Sequence, residues 1–147
     1  MTTTWILVAH RAGARLFENT GPGKGLKLLE QIDHPEGRLK NVEINSDKPG
    51  RAFDSFGGAR HSMSKEHEPK EQIALRFAKL LGDLLEKGRA LNQYSKLVLI
   101  AEPKLLGELR DALPPHTASL VSATLDKDLG GISDRDLPTH VGGTIPL

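Results

Sequence analysis

Cysteine is absent from the 147-residue chain. That removes disulfides, thiolate metal sites and thiol nucleophiles together, and it suits a reducing compartment. An excess of one charge is missing too: 20 Lys plus Arg stand against 19 Asp plus Glu, a net charge of +1. Such a balance argues against a protein that coats DNA or RNA nonspecifically, because that binding rests on many uncompensated phosphate contacts. A local basic patch stays compatible with it. Long apolar runs are also lacking, and no window approaches the roughly 20 apolar residues of a membrane span. Met1-Thr2-Thr3-Thr4 has no basic n-region, and Trp5 to Ala9 is too short for the apolar region of a signal peptide. These absences point to a cytoplasmic protein with no membrane partner.

What remains is ordinary for a globular protein, with 37% hydrophobic and 27% charged residues. The length fits one domain spanning 1–147 and is enough to bury a sizeable core. No internal repeat is present.

Trp5-Ile6-Leu7-Val8-Ala9 is a compact run of strand formers, expected as a buried strand with Trp5 in the core. His10 to Ala14 supplies a turn, and Arg15 to Thr20 reads as the return strand. Gly21-Pro22-Gly23-Lys24-Gly25 is turn chemistry. Leu26 to Ile32 gives a third extended segment with Leu26, Leu28 and Glu30 on one face. From His34 to Glu68 the periodicity fails, and the segment 45–68 reads as a long loop. Loops of that length in a small domain are commonly functional or disordered.

Pro69 suits the first turn of a helix, and Glu68 and Glu71 favour its positive end. Ile73, Phe77, Leu80, Leu81, Leu84 and Leu85 recur at helical spacing, with Gly88 near the frayed end. Leu97 to Ala101 is a continuous apolar strand of the parallel kind. Pro103 opens a helix bearing Leu105, Leu106, Leu109 and Leu113, which Pro114-Pro115 stops. Ala118 to Leu125 reads as a strand with Val121, Ala123 and Leu125 inward. Ser133 and Asp136 form a capping-box-like start to a last helix through His140. The tail from Gly142 is loosely held. The order is a three-strand antiparallel meander followed by α-β-α-β-α. Right-handed crossovers then give a mixed five-stranded sheet with flanking helices, an α/β fold of ribonuclease-H-like ordering.

Within the long loop, Gly57-Gly58 admits backbone conformations closed to other residues and lets main-chain N–H groups approach a ligand. Arg51 and Arg60 can grip phosphates, with Lys48 and Lys65 as weaker contacts. The plain alternative is a solvated surface loop. Composition alone favours that alternative, since Asp54, Glu66 and Glu68 nearly cancel the cations. A metal site from His61 and His67 lacks the three or four converging ligands zinc requires. Two-metal nuclease chemistry needs clustered carboxylates, and Glu102, Asp126 and Asp128 make a poor set. Ser55, His61 and Asp54 crowd one loop without a nucleophile elbow. No metal or other cofactor is expected.

Gly57-Gly58 ahead of Ala74-Leu75-Arg76-Phe77-Ala78 resembles the middle domain of archaeal and eukaryotic peptide-chain release factors. There a Gly-Gly-Gln loop precedes a long helix with a similar run. Gly50-Arg51-Ala52-Phe53-Asp54-Ser55 through Arg60-His61, with Asp126-Lys127-Asp128-Leu129, is still more similar to the bacterial host attachment protein family, a group related to that domain. The resemblance covers nearly the whole chain. It implies a domain that engages the ribosome or tRNA, with Lys48, Arg51, Gly57, Gly58, Arg60, His61 and Lys65 as RNA contacts. His61 is its acid/base candidate for action on peptidyl-tRNA. Ala59 stands where release factors carry glutamine, so hydrolysis by their mechanism is not implied. A second function class is a protein-interaction module without enzymatic activity, matching the family's attachment label.

Overall fold

A computed structural model of the protein describes residues 2–35 and 70–143. The seven candidate contacts from Lys48 to Lys65, the candidate ligands around His61 and His67, and the last four residues of the tail lie outside that range.

β1 (Thr4–His10) is the central strand, antiparallel to β2 (Gly13–Asn19), which follows a two-residue turn. β3 (Lys27–Asp33) pairs antiparallel with β2. On the other side of β1, β4 (Lys96–Ile100) and β5 (Val121–Leu125) run parallel to it. The sheet order is β3-β2-β1-β4-β5. The long α1 (Lys70–Ala90) precedes β4, and α2 (Pro103–Ala112) with the short α3 (Pro115–Ala118) links β4 to β5. α4 (Leu137–Val141) closes the described chain. The expected mixed five-stranded α/β sheet with flanking helices is therefore present.

The continuous apolar runs are explained by burial on both faces. Trp5, Leu7, Ala9, Leu16, Leu97 and Leu99 pack one face against Phe77, Leu81 and Leu85 of α1 and Leu105, Leu106 and Leu109 of α2. Ile6, Val8, Phe17, Val98 and Ile100 pack the other against Leu129, Leu137 and Val141. Each fully buried side chain of this kind contributes about 1.5–3 kcal/mol. The chain is therefore held as three layers, with α1 and α2 on one side of the sheet.

Several local expectations shift. Gly88 does not fray the end of α1. It lies inside the helix, which continues to Ala90, where a Cβ would stand 2.5 Å from Cη2 and Cζ3 of Trp5. Leu80 belongs to the solvent side of α1, 53% exposed, and Ala78 takes its place in the core. Pro114-Pro115 ends α2, but Pro115 also starts α3. β5 begins three residues later than Ala118, and as an edge strand its inward residues are only half-buried. Ser133 does not cap the helix itself: its Oγ accepts from the Asp136 N–H at 3.2 Å within the turn before α4, whose N-cap, Asp136, has no side-chain cap.

Each outer strand carries a one-residue slip. Leu16 pairs with Glu30 but Phe17 with Leu28, leaving Leu29 extra on β3. Leu97 pairs with Val121 but Val98 with Ala123, leaving Ser122 extra on β5. The slip on β3 breaks the alternation expected from the sequence. Leu28 stays on the Phe17 face, while Glu30 and Ile32 move to the Leu16 face.

One polar lock joins α1 to α3. Arg89 donates from Nε and Nη2 to Glu86, each at 2.9 Å, and the buried Thr117 hydroxyl also donates to Glu86. Arg89 first, and then Thr117, bring the Glu86 carboxyl from the usual 4.5 down to about 2. A depressed folded-state value contributes stability that is present above the unfolded value and lost as pH falls through the folded one. The stability gap between the wild-type protein and Glu86→Gln is therefore expected to shrink as pH falls from about 4.5 to about 2. Paired denaturant melts across that range check it, and a gap independent of pH would contradict the lock.

Candidate functional site

The chain leaves the described sheet just beyond His34 and returns at Lys70. His34, at the end of β3, is 9% exposed and held three ways. Its backbone N–H donates to the Ala12 carbonyl at 2.9 Å. Its Nδ1 lies 2.8 Å from the Arg11 carbonyl, which can only accept, so the proton sits on Nδ1. Its ring stacks on Phe77, two turns into α1, at 4.0 Å between centroids and 3° between planes. The segment's first root is thus tied to the β1–β2 turn and, through Phe77, to the body of α1, the helix that follows the segment.

That turn lies at the carboxyl end of β1, the end where ligands bind in open α/β sheets. In the order β3-β2-β1-β4-β5 the direction of winding reverses between β1 and β4. Over the same end, the loop after β5 is clamped down. Arg15 donates to the Leu129 carbonyl at 2.9 Å and to Asp134 at 2.6 Å, its side chain 11% exposed. Gly130 sits on the His10 ring, where a Cβ would stand 2.5 Å from Cγ. His10 Nδ1 accepts from the Ala12 N–H at 3.3 Å. A neutral surface loop would not need a buried guanidinium; this one is fixed in place.

The carboxylates near this end have local backbone duties. Glu102 caps α2 by accepting from the Leu105 N–H at 2.6 Å, and Asp128 accepts from the Gly130 N–H at 2.9 Å. Among the described residues no group of three His, Asp or Glu is placed to hold a metal ion. Glu108, half-buried on α2, has one carboxyl oxygen without a partner, and burial raises its pKa. Sequence reasoning missed His34, Arg15 and Gly130. No local signal marks them, because their partners lie far away in sequence, 23 residues for His34 and Arg11 and 119 for Arg15 and Asp134.

A family model described as "Protein required for attachment to host cells" matches residues 5–141. The chain belongs to that family. An uncharacterized protein of Rickettsia prowazekii (strain Madrid E) is 34% identical over 111 residues, covering 72% of this chain and 67% of the relative. Among solved structures, one titled "Archaeal protein" aligns with 94% of this chain at 10% identity and a TM-score of 0.49. This chain spans 34% of that one. No helix among the described residues is long and apolar enough to cross a membrane.

Proposed function

We propose that the chain is a ribosome- or tRNA-associated binding domain, folded as one α/β unit in the cytoplasm. It presents Lys48, Arg51, Gly57, Gly58, Arg60, His61 and Lys65 to RNA phosphates. The observation that carries this reading is the His34 clamp. His34, just before the segment, is bonded to the β1–β2 turn and stacked on Phe77 of α1, which holds together the described chain on either side of the segment. Pre-organised roots lower the ordering cost that a charged segment meets on binding. The resemblance to release-factor middle domains supplies the partner class, and His61 is the acid/base candidate should peptidyl-tRNA be the substrate.

Reversing both charges, Arg51→Glu with Arg60→Glu, is expected to abolish co-sedimentation with ribosomes. For the wild-type protein pelleting should weaken steeply with salt, and each lost phosphate contact should lower the logarithmic salt slope by about one. Unchanged pelleting of the double variant would sink the proposal. The family's description favours a second reading, a protein-interaction module used in attachment. Fractionation of cells separates the two: a ribosome-bound pool supports the first, and a surface pool the second.

A further inference from the structure

Lys104, Glu108 and Ala112 stand four residues apart on α2 and therefore line one side of it. Both ends of that row meet α1. Lys104 Nζ lies 3.6 Å from a Glu71 carboxyl oxygen. A Cβ on Gly82 would stand 3.0 Å from the Ala112 carbonyl oxygen and 3.6 Å from the Ala112 methyl. Glu108 is thus placed in the middle of the seam between the two helices. Across from it, Ala74 and Ala78 continue the α1 row from Glu71 to Gly82, and neither side chain carries a donor. One oxygen of the Glu108 carboxyl, Oε1, is closed to solvent and has no hydrogen-bond partner. An ionised carboxylate can only accept, so without a donor that oxygen stays unmatched, at a cost the neutral acid does not meet in full. The charges nearest it do not supply a donor. Lys104 is turned to Glu71, and Glu102 and Glu71 repel a second negative charge.

We propose that the seam between α1 and α2 is a proton-operated latch, closed when the Glu108 carboxyl is protonated and loosened when it is ionised. Burial first, opposed by Lys104 and aided by Glu102 and Glu71, lifts this carboxyl above its ordinary 4.5. The folded chain therefore holds the proton more tightly than the unfolded one. The seam gains stability as pH falls through the raised value, and gains no more below about 4.5. That sign is opposite to the one at Glu86. The latch acts on the first turns of α1, which starts at Lys70, and it does not depend on the RNA-binding reading.

Nuclear magnetic resonance on the full chain tests it. Between pH of about 4.5 and about 7.5, the opening of α1 is read from amide exchange at Ala74 to Ala78, corrected for the intrinsic pH dependence. It is expected to rise at least threefold. The Ala74, Ala78 and Ala112 methyl resonances should shift with the same midpoint as the Glu108 carboxyl carbon. Glu108→Gln keeps the shape and removes the charge. In that variant the rise should be absent and the methyl shifts should no longer titrate. Unchanged opening in the wild-type protein overturns the proposal. So does an equal rise in Glu108→Gln, or a Glu108 midpoint at or below 4.5.

Discussion

Replacing Phe77 by alanine is expected to destabilise the protein by about 3–5 kcal/mol, the range for emptying an aromatic site in a packed core. The side chain is 3% exposed and belongs to the cluster of α1, α2 and the sheet. Part of the loss is the cavity. A further part, about 0.5–1.5 kcal/mol, is the ring pair with His34. Phe77→Leu keeps most of the volume but not the stack and should cost less than about 1.5–2 kcal/mol. Denaturant melts of both variants measure these losses. The ring resonances of His34 should shift in both, because the shielding ring is gone. A cost below about 1 kcal/mol for alanine would mean that Phe77 is not the keystone between helix and sheet that the geometry makes it.

Gly88→Leu is the second large effect, and here two physical rules disagree in sign. Helix propensity alone favours the change by about 0.8–1 kcal/mol, since glycine is a poor helix residue. Packing opposes it, because even a Cβ meets two Trp5 ring carbons at 2.5 Å. That ring cannot retreat: Tyr94 lies stacked against it, and the Tyr94 hydroxyl donates to the Leu85 carbonyl at 2.7 Å. Burial pushes that phenol up to about 12, so the bond persists through neutral and mildly alkaline pH. Overpacking of a fixed core costs about 1–3 kcal/mol and sometimes more, and leucine adds three carbons beyond the Cβ. A net loss near 3 kcal/mol is therefore expected, with a changed Trp5 emission. Gly88→Ala should lose less. Pairing it with Trp5→Leu should recover part of the loss in a double-mutant cycle. If Gly88→Ala stabilised the protein, propensity would have won and the close approach would be falsified.

How far the sequence alone carries can be argued from these same residues. The strands of the two-sided core were legible because Ile6, Leu7 and Val8, or Val98, Leu99 and Ile100, leave no polar position for a solvent face. α1 was legible from Ile73, Phe77, Leu81 and Leu85. Gly88 was misread because a frayed end and a close approach both ask for glycine, and only the partner ring decides. β3 was misread because a one-residue slip has no signature in Leu28-Leu29-Glu30. The clamp at the sheet end was invisible for a different reason. His34, Phe77, Arg15 and Asp134 meet through sequence separations that no local pattern encodes. Lys48, Arg51, Gly57, Gly58, Arg60, His61 and Lys65 rest on resemblance and on local chemistry, which name the residue types a phosphate ligand needs but not where they stand.

The slips on β3 and β5 bear on what happens when many copies of the chain are crowded together. Among the described residues no further strand pairs with the outer side of β3 or β5, and an unbroken backbone rim would invite one molecule to extend the next, as fibrils do. Leu29 interrupts that rim within β3, and Ser122 interrupts it close to the start of β5. A neighbour laid alongside can match only a few residues before its amides fall out of step. Wherever the outer backbone of β3 or β5 is accessible, the slips thus help the sheet to remain a finite object at high concentration.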